Sequence, residues 1–346
     1  MSSVARAPGR VNLIGDHTDY TGGLVLPMAI DRETTITFTA APHVELTSRD
    51  FDGHVRFDLP IASASTVLPS WGRYVAGVAA AMSERSMAPI GFSGTVATTV
   101  PIGGGLSSSA ALEVAAALAF GIEADNATIA AVCRRAEHLA TNVPCGIMDQ
   151  LTSTAGVKDH ALMIDCHSLD ITPIRIPDGV SVWVVPVSAR TLDGSEYPMR
   201  VAQCAAAERE IGPLRSADLA GTNNIVDRVI RARARHVVSE NLRVRAFAAA
   251  LAANDLHDVG KIMYEGHHSL SRDFETSTPA MDAAVEHFAR IPGVHGARMT
   301  GGGFGGCLVI LADDDAPIAA GAESDGHSDA MRVRAADGAS LDTPLS

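Results

Sequence analysis

From Leu24 to Phe38 the chain alternates apolar and polar residues and enters the β-branched run Thr34-Thr-Ile-Thr-Phe-Thr39. That is the period-two pattern of a strand with one covered face. Residues 43–60 hold further strand-like pieces, broken at Asp52-Gly53. At Trp71 the period changes, and Trp71, Val75 and Val78 fall on one face of a helix that runs to Met82. The pattern then predicts a strand over Gly94–Val100, a glycine turn, an alanine-rich helix over Ser108–Phe120, and helices over Asn126–Ala140 and Ile147–Ala155. Ala161–Ile164 and Ser181–Val187 read as buried strands. Amphipathic helices are expected over Tyr197–Glu210, Asn223–Val238, Asn241–Ala252, Leu256–Ser271 and Pro279–Ala289, with a glycine turn and strand over Thr300–Ala312 closing the pattern. Strands that look antiparallel, mixed with long helices, argue for an α+β fold rather than a doubly wound parallel sheet.

The 346 residues suffice for two ordinary domains. The polar stretch Asp170–Asp178, with Pro173 and Pro177, places a boundary between residues 1–175 and 176–346. With 27 Lys and Arg against 40 Asp and Glu, the net charge of −13 argues against a nucleic-acid or anionic-membrane partner, both of which need basic surface. No apolar run approaches the roughly eighteen residues of a membrane helix, and the N-terminus lacks the apolar core of a secretory signal. Cys133, Cys145, Cys166, Cys204 and Cys307 are odd in number, scattered and without a CxxC pair. Free thiols in a reducing cytoplasm are therefore expected, rather than disulfides or zinc. His267-His268 is no metal pair either, because adjacent side chains on a helix point about 100° apart.

Two segments concentrate chemistry. In Val100-Pro-Ile-Gly-Gly-Gly-Leu-Ser-Ser-Ser-Ala-Ala-Leu-Glu113, consecutive glycines let main-chain N–H groups converge on an anion where a helix begins. The serines offer helix caps, or hydroxyls for phosphate oxygens or Mg²⁺. The Walker lysine and the GxGxxG pattern are both absent, so by itself the segment is equally well a capped helix after a turn. The second segment, Ala7 to Gly23, gathers Asp16, His17, Asp19 and Tyr20 between glycines. Carboxylates that accept hydroxyl protons beside an imidazole suit sugar recognition; a charged surface turn or a metal site are the alternatives.

Together these segments resemble a known family. GRVNLIGDHTDYTGG is similar to the galactokinase signature, and PIGGGLSSSAALE to the phosphate loop of the wider GHMP kinases. The third GHMP motif is matched by Met299-Thr-Gly-Gly-Gly-Phe-Gly-Gly-Cys-Leu308. Further matches are Trp71 and Tyr74, Cys145-Gly-Ile-Met-Asp-Gln150, Ser195-Glu-Tyr197 and Ser269-Leu with Asp273. The resemblance implies an N-terminal domain like ribosomal protein S5, a C-terminal α+β domain, and an active site in the cleft between them.

It also implies ATP-dependent phosphorylation of the anomeric hydroxyl of D-galactose, with ATP and Mg²⁺ as cofactors. The only expected partner is a small-molecule sugar, with the chain a monomer or weak homo-oligomer. The resemblance carries over Asp149 and Arg10 as catalytic residues. Asp16, His17, Asp19, Gly146 and Tyr197 become sugar contacts, and Ser109 and Glu137 the Mg²⁺ ligands. Gly103, Gly104, Gly105, Leu106, Ser107, Ser108 and Ser109 become the nucleotide cradle, Trp71 the aromatic near adenine, and Gly302–Gly305 the cleft floor. Two departures bear on the sugar. Asp16 stands where the family usually has Glu, which withdraws the carboxylate by about 1.5 Å, and the segment Ser188–Gly194 is unlike the family pattern. They leave open a kinase for a related monosaccharide, or a sugar sensor without turnover.

Overall fold

The computed structural model describes residues 2–188, 196–327 and 329–343; most of the unusual Ser188–Gly194 segment, and Ser195, lie outside the described residues. In chain order the first half comprises β1 (Ser3–Asn12), β2 (Leu24–Val25), β3 (Pro27–Ala40), β4 (Val44–Ser48), β5 (His54–Phe57), α1 (Gly72–Glu84), β6 (Phe92–Thr98), α2 (Ser108–Ala119), α3 (Asn126–Thr141), α4 (Met148–Ala155), β7 (His160–Asp165) and β8 (Ile171–Arg175). There follow β9 (Val180–Ser188), α5 (Glu196–Ile211), α6 (Arg228–Ala252), α7 (Leu256–Ser269), α8 (Pro279–Phe288), β10 (Val294–Thr300), β11 (Gly306–Asp313), α9 (Ile318–Ser324), β12 (Met331–Val333) and β13 (Ser340–Asp342).

The strands form a six-stranded sheet in the order β13-β1-β3-β6-β4-β5, a four-stranded sheet β10-β11-β9-β12, and a three-stranded sheet β2-β7-β8. All pairings are antiparallel except β4 with β6. In β3 the alternation turns Thr34 and Ile36 into the core and leaves Thr37 and Thr39 exposed. Helices α1, α2 and α3 cover the large sheet, and α2 is buried nearly all round, which its alanines permit at close approach.

The hydrophobic pattern did not announce β1, because Pro8 and Gly9 interrupt it. A register shift against β3 between Pro8 and Arg10 absorbs both residues. At Gly9 a Cβ would lie 2.7 Å from the Leu106 carbonyl oxygen, so the missing side chain lets the glycine loop close onto this strand. The two helices expected over Asn223–Val238 and Asn241–Ala252 are instead one, α6, preceded by a 3₁₀ turn at Gly221–Asn224. No glycine or proline interrupts Ser239–Glu240, and Asn241, a weak helix former, is held by one tertiary and one local bond: its Oδ1 accepts from Leu24 N at 2.7 Å and its Nδ2 donates to Val237 O, one turn back in the same helix, at 2.8 Å. Asp227 caps this helix by accepting from Val229 N and Ile230 N.

The expected division at 175/176 falls in the loop before β9, but the chain end does not stay with the second half. Ala335 bridges Ile30, and β13 pairs with β1 at the edge of the first sheet. A hydrophobic cluster joins Val11, Leu13, Ile14 and Leu26 to Val244, Phe247, Val309 and Leu311, so the two halves share a core. The five cysteines are free thiols. Among the described residues no helix is long and apolar enough to cross a membrane.

Helices α1 and α3 touch at Gly77, where a Cβ would lie 2.5 Å from the Ala136 carbonyl oxygen. Gly77→Ala should therefore destabilise the fold by about 1–3 kcal/mol, the usual range for overpacking. A lowered denaturation midpoint with an unchanged m-value checks this.

Candidate active site

The loop between β6 and α2 reverses at Gly103 (φ +75°) and Gly105 (φ +73°), conformations that only glycine adopts freely. Leu106 is buried and anchors the loop in the shared core. Ser107 follows in the left-handed region at φ +62°, which is strained for a residue with a side chain. Here the expectation of serine capping needs correction: Ser107 occupies the N-cap position of α2 but makes no side-chain cap bond. Its hydroxyl donates to Asp149 Oδ2 instead. The N–H groups of the first turn, from Ser108 onward, are left for another acceptor, which is the anion-binding arrangement of a helix N-terminus.

Asp149, in the first turn of α4, is held from the opposite side by Arg10 at the end of β1. Arg10 Nε donates to Oδ1 and Nη2 to Oδ2, each at 2.8 Å, a two-pronged pair of the strong, directional kind. Arg10 Nη1 donates to the Gly105 carbonyl at 2.6 Å and its backbone N–H to Leu106 O at 3.1 Å. One arginine thus joins a strand, a helix start and the glycine loop.

Behind Asp149 lies a second group. Ser109 Oγ donates to Glu137 Oε1 at 3.2 Å, and Gln150 Nε2 donates to Glu137 Oε2 at 2.7 Å and to Glu113 Oε2 at 3.1 Å. Burial, then the charge of Asp149, pushes the Glu137 carboxyl above its ordinary range. Burial, then Glu137, pushes the wholly buried Glu113 well above it. Glu113 and Gln150 carry no role in the sequence reading, although a glutamate among the alanines and valines of an otherwise apolar helix was a visible signal.

The loop after β1 supplies the third group. Asp19 lies so close to Gly146 that a Cβ there would collide with its carboxylate. Burial, then the charge of Asp149, pushes the Asp19 carboxyl up to about 7. His17 Nδ1 lies 3.1 Å from the Tyr20 hydroxyl, and its ring meets Tyr197 at 5.6 Å and Phe274 at 4.6 Å between centroids. Asp16 sits deeper, 1% exposed, with Oδ2 accepting from Arg298 Nη2 and Oδ1 from Gly301 N, each at 2.8 Å. Arg298 too was missed by the sequence reading, standing one residue before the third glycine motif.

That motif, between β10 and β11, lies under the glycine loop: Cys307 Sγ donates to Gly104 O at 2.9 Å. Thr300 Oγ1 donates to Asn12 O at 2.8 Å and accepts from Asn12 N at 3.2 Å, tying the turn to the end of β1. Trp71 makes none of the bonds described above. It is buried in the first core, stacks on Phe51 and donates its indole N–H to Asp52 O at 3.2 Å.

Three family signatures match this chain: a galactokinase galactose-binding signature over residues 2–40, a GHMP kinase N-terminal domain over 73–157, and a GHMP kinase C-terminal domain over 247–324. A galactokinase of Bos taurus is 44% identical over 333 residues, covering 90% of this chain and 83% of the relative. The chain belongs to the galactokinase family. A galactokinase of Homo sapiens is 42% identical with the same coverage. The crystal structure of Lactococcus lactis galactokinase complexed with galactose superposes with a TM-score of 0.91 at 27% identity, covering 98% of this chain and 95% of that one. Mevalonate kinase of Methanococcus jannaschii, at 20% identity and a TM-score of 0.69 over 96% of this chain and 98% of its own, shares the fold. The α+β architecture of this galactokinase family member is thus that of the GHMP kinases.

Asp19 makes stability depend on pH in a definite direction. Its carboxyl titrates near 7 when folded and near 3.8 when free, so the folded state holds an extra proton between those values. Its contribution is greatest below that window and is lost as pH rises through it. In thermal melts, Asp19→Asn should gain on the parent protein as pH is raised from 5 to about 7.5. A constant difference in melting temperature would show that Asp19 does not titrate there.

Proposed function

We propose that this protein transfers the γ-phosphoryl group of ATP to the anomeric hydroxyl of D-galactose, giving galactose 1-phosphate and ADP. The observation that carries this reading is Asp149 held by Arg10 and Ser107 at the foot of the glycine loop.

In this reading the N–H groups of Gly103–Ser109 and the start of α2 receive the ATP phosphates. Asp149, fixed by two bonds from Arg10, accepts the anomeric proton as the sugar oxygen forms its bond to the γ-phosphorus and the bond to the bridging oxygen of ADP breaks. Arg10 faces the same space, and its guanidinium offsets charge building on the transferred group. Galactose lies against His17, Asp19, Gly146 and Tyr197. Asp19 accepts a hydrogen bond from a sugar hydroxyl, and the bare Gly146 leaves the room that the ring needs.

Ser109 and Glu137 fit a Mg²⁺ ion. They are paired oxygen donors, and the raised proton affinity of Glu137 marks a place short of positive charge. Among the described residues no cluster of three or more His, Cys, Asp or Glu could hold an ion by itself, which suits a cation that completes its shell with phosphate and water oxygens. When bound, Mg²⁺ neutralises phosphate charge and orients the γ-phosphoryl group.

Asp149→Asn should keep ATP binding by calorimetry and lose turnover by about 10²–10⁴-fold, the usual worth of a positioned base. Near-normal kcat would remove Asp149 from that role. An ADP-release assay over a monosaccharide panel with Mg²⁺-ATP should give turnover on galactose. Turnover only on another sugar would overturn the galactose assignment, and none on any sugar would overturn the enzyme.

A further inference from the structure

Arg298 is the largest side chain wholly removed from solvent, and the transfer chemistry described above does not use it. A lone guanidinium there would be prohibitive; its partners explain its place. Arg298 Nη2 donates to Asp16 Oδ2 at 2.8 Å and to Glu240 Oε1 at 2.9 Å. Glu240, on α6, also accepts from Gly15 N at 3.0 Å through Oε1 and from Arg243 Nε at 2.6 Å through Oε2. Burial opposes a charged Glu240, yet Arg298 and Arg243 together outweigh it and hold its carboxyl below the ordinary range. Two carboxylates thus face two guanidiniums across the boundary between the halves.

This network converges on the residue before His17. The Asp16 carboxylate is engaged at both oxygens, and its carbonyl oxygen lies 3.1 Å from His236 Nε2. The other ring nitrogen of His236 lies 2.9 Å from Ser269 Oγ. Burial lowers the His236 imidazole to about 4, so at neutral pH it is uncharged and serves through one N–H and one lone pair. Gly266 on α7 closes over the guanidinium, where a Cβ would lie 2.6 Å from Arg298 Nη1. Bonds from β10, the glycine turn after it and α6 therefore pin the backbone that carries His17 and Asp19.

We propose that Arg298 is a positioning residue for the sugar-binding loop, and that Asp16 is its anchor inside the protein rather than a hydrogen-bond partner of the sugar. The inference rests on the reading that this loop receives galactose. A carboxylate with 1% of its surface exposed, its oxygens turned to Arg298 and Gly301, presents almost no surface on which a sugar could land. The shorter Asp, in place of the family's usual Glu, keeps the carboxylate back on the arginine. Anchor and contact make different predictions. A direct contact discriminates at one hydroxyl, whereas an anchor shifts every contact of the loop together.

The test is steady-state kinetics of Asp16→Asn on galactose and on each monodeoxy galactose, with folding monitored by thermal unfolding and by the KM for ATP. Asp16→Asn should raise KM for galactose and for every deoxy analogue by a common factor of about ten, leaving their ratios as in the parent. Collapse of the ratio for one analogue alone, or an unchanged galactose KM, would overturn the proposal. Arg298→Lys, which keeps the charge but not the fork, should give the same uniform rise. Combined with Asp16→Asn it should add little, and full additivity would overturn the coupling. If the Arg298 variant does not fold, the Asp16→Asn panel decides alone. Tyr197→Phe and Asp19→Asn test the underlying reading separately. An unchanged galactose KM in both would show that the loop is not the sugar site, while the Asp16–Arg298 coupling in thermal unfolding would stand or fall by itself.

Discussion

The bond between Arg10 and Asp149 is the constraint on which the rest of the site depends. It joins the end of β1, the start of α4 and, through the Gly105 carbonyl, the glycine loop. Arg10 is 95 residues from Gly105 and 139 from Asp149 in sequence, and each segment has a local reason to be where it is. The Pro8–Arg10 irregularity shifts the register of β1 on β3, the glycines reverse the loop, and the first turn of α4 favours a carboxylate near its N-terminus. What none of them supplies alone is a fixed separation between the glycine loop and the Asp149 carboxylate. The two-pronged guanidinium supplies it, and Ser107, held at positive φ, gives up its capping bond to reinforce it.

Carboxylates crowd around this point, and the structure manages them in three ways. Asp149 is matched by an arginine. Glu113 and Glu137 share the amide of Gln150, which places a neutral donor between two acids that would otherwise repel. Asp19 has only partial compensation, and burial near Asp149 raises its proton affinity. The pattern fits a site prepared for incoming positive charge and hydroxyl protons, in a protein whose overall balance is strongly acidic. Across the domain boundary, Arg298 and Arg243 outweigh burial at Glu240, while at Asp16 burial outweighs Arg298 and lifts the carboxyl to about 6, yet the ion pairs there still tie the two halves together.

Much of this was legible in the chain. The β3 alternation, the alanine-rich α2 and both glycine turns follow from local preferences, and those preferences act over a few residues whatever surrounds them. Three motifs in order identified the family and, through it, singled out Arg10, Asp149, Ser109 and Glu137, pairs that the fold brings together. The misses have a common cause. β1 contains Pro8 and Gly9, which local rules read as breakers, yet pairing with β3 and a bulge accommodates them. Two predicted helices were one, because Asn241 is satisfied by Leu24, more than two hundred residues away. Arg298, Glu240 and Gln150 look like ordinary polar residues until their partners are brought beside them.

The sequence by itself thus determined most of the elements, the family and the glycine loop before α2, since each depends on short patterns whose physics is local. Only the tertiary structure decided which charges meet. It sent the Ser107 hydroxyl to Asp149 instead of the helix cap, turned Asp16 inward to Arg298, and carried the C-terminal strand back to β1. Partners of this kind are chosen by burial, because a charge removed from water must find its opposite wherever the fold places it. No local rule in a single chain names that partner.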